Sequence, residues 1–151
     1  MPQSLTQLYV HLVFSTKNRE PWITPELRPQ THQYIGGVCK RLESQPLQVG
    51  GVSDHVHVLA LLSKKLAPTE FVKEVKSRSS RWVKDQLGNN RNQFAWQAGY
   101  GLFSVSPGHV DVLREYIQNQ DTHHRNETYQ DELRRLFKKY EVTFDEKYVW
   151  D

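Results

Sequence analysis

The sequence predicts an α+β fold: a ferredoxin-like, RRM-like antiparallel sheet with helices on one face. Two observations predict it. The apolar periodicity switches along the chain in the order β-α-β-β-α-β-α-α, and its first six elements are those of a split βαβ sheet. The 151 residues suffice for one sizeable core but not comfortably for two, and no linker, internal repeat or low-complexity tract divides them. A single domain over residues 1–151 is therefore expected.

The elements follow from local chemistry. "LYVHLVFSTK" (Leu8 to Lys17) is β-branched and aromatic and reads as a strand. "TPELRPQTHQYIGGVCKRL" (Thr24 to Leu42) reads as a helix, with Thr24 as cap and Pro25 in the first turn. Gly36 and Gly37 weaken its middle, which suggests close packing there. "LQVGGV" (Leu47 to Val52) and "HVHVLALL" (His55 to Leu62) are two strands joined by a short turn around Gly51, Ser53 and Asp54. Ala67 to Gly88 is a second helix, with an apolar face of Phe71, Val72, Val75, Trp82 and Val83 and a glycine stop. Asn89 to Gly101 is a polar loop with embedded aromatics, and "LFSVS" (Leu102 to Ser106) is a short strand. Pro107-Gly108 breaks the chain before a third helix, "HVDVLREYIQNQDTHH". A fourth, "ETYQDELRRLFKKY", has Thr128 as start signal, and the tail "VTFDEKYVW" reads as extended.

Composition excludes several classes. Cys39 is the single cysteine, so an internal disulfide and a cysteine-built zinc site are ruled out, and a reducing cytoplasm fits. No run of about 18 apolar residues exists to span a membrane. The opening "MPQSLTQLYV" lacks the charged start and apolar stretch of a secretion signal. The formal net charge is +3 and the pI about 9.0. From Lys64 to Lys84 the chain carries Lys64, Lys65, Lys73, Lys76, Arg78, Arg81 and Lys84 against Glu70 and Glu74, whereas the last stretch is mixed. Such a basic middle is either a phosphate-binding footprint or a lysine-rich solvated helix face.

The residues richest in chemistry are His55 and His57. Alternate residues on a strand point the same way, so both imidazoles share a face with Leu59, while Val56, Val58 and Ala60 share the other. Their Cβ atoms would lie about 6–7 Å apart, close enough for both rings to reach one cation; two hydrogen-bonded histidines would look the same. On the third predicted helix, Tyr116 and Gln120 are four residues apart and lie about 40° apart around the axis, at the edge of a stripe of Val110, Leu113 and Ile117. Two imidazoles and an amide oxygen leave open positions on a hard or borderline cation such as Mg²⁺ or Mn²⁺. A tyrosine hydroxyl is a poor nucleophile at neutral pH unless nearby charge helps it, and a metal-polarised phosphodiester provides such help.

His-hydrophobic-His on a strand, followed by Tyr-x-x-x-Gln on a late helix, resembles the single-tyrosine HUH transposases of bacterial insertion sequences. The likeness runs over nearly the whole chain. "YVHLVFSTKNREPWI" is similar to the family's opening strand, "GGVSDHVHVLALL" to its metal-binding strand, and "GYGLFSVSPGHVDVLREYIQNQDTHH" to the segment leading into the nucleophile. "KSRSS" sits on the basic helix, and the ending "FDEKYVW" also resembles the family.

The resemblance implies a metal-dependent enzyme that cleaves and rejoins single-stranded DNA. Tyr116 on its late helix would be the catalytic nucleophile, forming a 5′-phosphotyrosine and releasing a 3′-hydroxyl, while His55, His57 and Gln120 hold Mg²⁺ or Mn²⁺. His123 or His124 could replace or support Gln120. The implied partner is single-stranded DNA with a hairpin at the element ends. The implied assembly is a homodimer whose tyrosine helix crosses to the other subunit, with "SVSPGH" as hinge. Lys73, Lys76, Arg78, Arg81 and Lys84 are the expected DNA contacts, and Phe94, Trp96 and Tyr100 either stack on bases or form a small satellite core. Two other readings stand beside this one: a non-catalytic hairpin-binding module, and a metal-dependent hydrolase with Tyr116 as spectator.

Overall fold

The computed structural model describes residues 2–124 and 126–151. Four strands, β1 (Leu8–Ser15), β2 (Gln45–Gly51), β3 (His55–Leu62) and β4 (Gly101–Val105), form one antiparallel sheet in the order β2-β3-β1-β4. That order puts β3, the strand with the histidines, beside β1 in the middle, where both of its edges are hydrogen-bonded. The register pairs Val13 with His57 and Ser15 with His55 on one side, and Gly50 with His57 on the other.

Alternation along the strands divides the core. Val10, Leu12, Phe14, Val56, Val58, Ala60 and Leu62 face α1 (Arg28–Arg41) and α2 (Pro68–Leu87). On the opposite face, Leu59 and Val105 meet Leu113 and Ile117 of α3 (Val110–Gln118), and Val13 and Phe103 meet α5 (Tyr129–Lys139). A one-turn α4 (Gln120–His123) links the two. The first two helices share one face, as expected, but the later helices close the other. The reason is chemical: His11, Val13, His57, Leu59 and Phe103 make the second face too apolar to leave in water.

Several boundaries move. The first helix starts at Arg28, with Pro29 in its first turn, and Thr24 instead accepts from the Leu27 amide at 3.4 Å. A Cβ on Gly36 or Gly37 would meet nothing within 4 Å, so close packing is not their role. Thr128 caps α5 as predicted, accepting from the Asp131 amide. The tail is a turn rather than a strand, with the Val149 amide donating to the Asp145 carbonyl at 2.9 Å. Among the described residues, no helix is long and apolar enough to cross a membrane.

Candidate active site

Glycine decides where the tyrosine lies. Gly50 faces α3, and a Cβ there would come 2.5 Å from the Ile117 carbonyl oxygen and 2.7 Å from its Cγ2. Without a side chain at 50, α3 rests on the β2 backbone, beside the cross-strand partner His57. Tyr116, one residue before Ile117, then lies with its ring centroid 6.0 Å from that of His57, edge to face. The tyrosine and both histidines thus meet within one chain.

His55, His57 and Gln120 are buried, and a fourth residue joins them: Glu132 of α5, fully buried. Its Oε1 lies 3.1 Å from His55 Nε2, 3.2 Å from His57 Nε2 and 2.9 Å from His124 Nε2. Its Oε2 accepts from Gln120 Nε2 at 2.9 Å and from the Tyr116 hydroxyl. Gln120 Oε1 also lies 3.0 Å from His55 Nε2. One carboxylate therefore spans the histidines and the tyrosine oxygen.

The outer nitrogens are held as well. His55 Nδ1 donates to Asp54 Oδ1 at 2.7 Å, so Asp54 orients this imidazole as well as ending the turn. His57 Nδ1 lies 2.8 Å from His11 Nε2, and His11 Nδ1 lies 3.3 Å from the Tyr140 hydroxyl. With both Nδ1 atoms engaged, Nε2 is the nitrogen that each histidine aims inward, which fixes the rings as in metal sites.

Charge here is set by burial against pairing. Burial alone would lower the His55 pKa, but hydrogen bonds to Asp54 and Glu132 and their charges raise it to about 9. His57 goes the other way, because burial outweighs the Glu132 charge. Burial would raise the Glu132 pKa, but the surrounding His57, His124 and His55 hold it far below the ordinary carboxylate range. Tyr116 is raised well above an ordinary phenol by burial and by the Glu132 charge, with Arg135 acting against both.

The donor set suits a divalent cation. His55, His57 and Glu132 offer ligand atoms all within 4.8 Å of one another, and Gln120 Oε1 adjoins them. Two imidazole nitrogens with amide and carboxylate oxygens match a hard or borderline ion such as Mg²⁺ or Mn²⁺.

The expected DNA residues lie apart from this cluster. α2 covers the opposite sheet face, so Lys73, Lys76, Arg78, Arg81 and Lys84 are across the sheet from Tyr116. Lys76 is not a free cation: its Nζ donates to the carbonyls of Gln97, Ala98 and Gly99 at 2.6, 3.1 and 2.9 Å. Arg78 pairs with Glu74 at 2.8 Å. Lys73 and Arg81 are exposed, and Lys84 is half-buried. Phe94 and Trp96 are in the main core rather than in a satellite core or free to stack on bases; Tyr100 is exposed.

Sequence reasoning missed Glu132, Arg135 and His11. Glu132 does carry a signal: it falls on the apolar stripe of Tyr129, Leu133, Leu136 and Phe137, where an isolated carboxylate needs a buried partner.

A ferredoxin-like sheet whose central strand presents two histidines to a helix-borne tyrosine defines the class of single-tyrosine HUH transposases. The family described as "Transposase IS200 like" matches residues 4–120, and the chain belongs to it. The transposase for insertion sequence element IS200 of Salmonella typhimurium is 25% identical over 114 residues, 73% of this chain and 74% of that protein. The ISDra2 transposase TnpA of Deinococcus radiodurans is 25% identical over 122 residues, 76% and 84% of the two. Two solved structures share the fold. A crystal structure of a protein designated a transposase from Deinococcus radiodurans R1 has a TM-score of 0.64 at 20% identity, covering 80% of this chain and 95% of that one. A REP-associated tyrosine transposase bound to a REP hairpin has a TM-score of 0.58 at 13% identity, covering 82% and 73%. Family membership makes the chain a DNA-processing enzyme. Glu132 and Arg135 lie beyond the matched residues.

Proposed function

We propose that this chain, as one catalytic domain over residues 1–151, cleaves and rejoins single-stranded DNA at insertion-sequence ends through a 5′-phosphotyrosine on Tyr116. The observation that carries this reading is the bridging carboxylate: Glu132 links the Tyr116 hydroxyl to the inward nitrogens of His55 and His57. A nucleophile and a cation site so close together fit transesterification at one phosphodiester.

His55, His57 and Gln120 would hold Mg²⁺ or Mn²⁺, with Glu132 as a further oxygen ligand. The bound ion supplies Lewis-acid polarisation of the phosphate. The protein's own residues do the rest. Asp54 and His11 fix the two imidazoles. Tyr116 gives its proton to a hydrogen bond with Glu132, which orients the phenolic oxygen. The reaction exchanges one phosphodiester for another, and a free 3′-hydroxyl reverses it.

The substrate is single-stranded DNA bearing a hairpin, in keeping with the REP hairpin bound by the REP-associated transposase that shares this fold. Lys73, Arg81 and Lys84 are the proposed phosphate contacts on α2, with Arg78 secondary to its pairing with Glu74. The hairpin would lie on that face, with its flanking strand running past the sheet to Tyr116. We assign the activity to the cytoplasm, where the lone Cys39 thiol stays reduced. A homodimer with exchanged tyrosine helices would build the same site, hinged at Pro107–His109. Mixing Tyr116→Phe with His57→Ala chains tests it: a mixture regains activity under exchange and stays inert if each chain uses its own tyrosine.

The test of the function is covalent capture. The protein is incubated with Mg²⁺ or Mn²⁺ and a labelled single strand carrying the hairpin that flanks its own gene, then run on a denaturing gel. A shifted band lost in Tyr116→Phe and in His57→Ala is expected. Hairpin binding without a band would favour the non-catalytic binding module, and turnover surviving in Tyr116→Phe would favour the hydrolase.

A further inference from the structure

The Tyr116 oxygen has a second partner. Arg135 of α5 donates from Nη2 to that oxygen at 2.8 Å, and its guanidinium lies 5.5 Å from the centroid of the Tyr116 ring. The arginine is itself aimed: Nε and Nη2 donate to the two Glu127 carboxylate oxygens at 3.2 and 2.9 Å. A two-point pair of this kind fixes the planar guanidinium in a way that a lysine could not reproduce.

The three partners use up the valences of a phenol in an informative way. A tyrosine hydroxyl has one hydrogen and two lone pairs. The hydrogen goes to Glu132, one lone pair takes the Arg135 hydrogen bond, and the other lone pair is left for an electrophile.

We propose that Arg135 is a catalytic residue that stabilises the negative charge developing on the Tyr116 oxygen during both cleavage and rejoining. The inference rests on the reading of Tyr116 as the nucleophile. In cleavage, the bond from Tyr116 Oη to phosphorus forms and the bond from phosphorus to O3′ breaks. The bonding pair goes to O3′, and the phenolic proton ends on the released 3′-hydroxyl. Rejoining reverses each change, with Tyr116 as leaving group. The starting phenol and the phosphotyrosine ester both carry little charge on this oxygen, and the transition state between them carries more. A preorganised donor at that atom is therefore worth more in the transition state than in either ground state. The residue lies outside residues 4–120, the segment that the family match covers.

The test separates chemistry from folding. Single-turnover cleavage and rejoining are timed for the wild-type chain, Arg135→Gln and Arg135→Lys, each with Tyr116 and with 3,5-difluorotyrosine at position 116. Arg135→Gln should slow both steps about 10²–10³-fold, the loss typical of removing one donor from a developing oxyanion. Hairpin affinity and thermal stability should stay at wild-type values. Arg135→Lys should recover part of the rate. Fluorination makes the phenolate intrinsically more stable, so it should shrink the Arg135→Gln defect. Arg135→Gln working at the wild-type rate would overturn the role of Arg135 alone, and so would an equal defect with both tyrosines. No covalent adduct in the wild-type chain would overturn the nucleophile reading and this inference with it.

Discussion

Gly50→Ala should cripple the enzyme without touching any reactive group. The new Cβ would stand 2.5 Å from the Ile117 carbonyl oxygen, a backbone atom that cannot rotate away. Restoring even a tight contact of 3.4 Å requires α3 to retreat by about 0.9 Å. Overpacking of that kind costs about 1–3 kcal/mol. Tyr116 precedes the displaced residue and moves with it, and misplacing a reacting group by about 1 Å costs about 10²-fold in rate. The assay pairs thermal unfolding with the single-turnover rate of covalent capture at saturating DNA. The expected result is a lower Tm, a rate down about 10²-fold and hairpin affinity unchanged, since the basic helix is on the other face. An alanine variant with the wild-type rate and Tm would refute the argument that this glycine seats the tyrosine helix.

Other outcomes follow from the same structure. Trp96 is in the main core and donates from Nε1 to Ser79 Oγ at 3.1 Å, so Trp96→Ala should lose about 3–5 kcal/mol of stability in denaturant melts rather than specifically weakening DNA binding. Lys73→Ala and Arg81→Ala should each flatten the salt dependence of hairpin binding, by about 0.7 in the log–log slope per lost phosphate contact, with an unchanged Tm; Lys76→Ala should instead lower the Tm, because its ammonium ties down the carbonyls of Gln97, Ala98 and Gly99. Burial lowers the His32 pKa to about 4 from 6.5, so the unfolded chain binds more protons across that window and stability should fall as pH drops from 6.5 to 4. His32→Gln should remove up to about 3 kcal/mol of that slope in pH-dependent melts.

The sheet was readable because its chemistry is local. β-branched alternation marked β1 and β3, and period two alone put His55 and His57 on one face. Tyr116 and Gln120 were readable as a pair at i and i+4, although the one helix expected to carry them is interrupted at Asn119, with Tyr116 on α3 and Gln120 on α4. The structure brings all four together. What period and spacing cannot encode is which helix covers which sheet face. That concealed Glu132 and Arg135, which reach the site only through the packing of α5, whereas His11 reaches His57 through the pairing of β1 with β3. The same limit hid the fate of Lys76, whose charge looked available until a loop distant in sequence presented three carbonyls to it. Phe94 and Trp96 sit in a polar-looking loop, yet Trp96 packs edge-on against Phe14, a contact outside any local pattern.

The most direct measurement is the chemical identity of the protein–DNA link. The captured adduct is digested with trypsin and nuclease, and the peptide spanning residues 115–125 is sequenced by tandem mass spectrometry. The account predicts a nucleotide joined through its 5′-phosphate to Tyr116, with the complementary DNA fragment ending in a free 3′-hydroxyl. A link to any other residue, or through a 3′-phosphate, would contradict it.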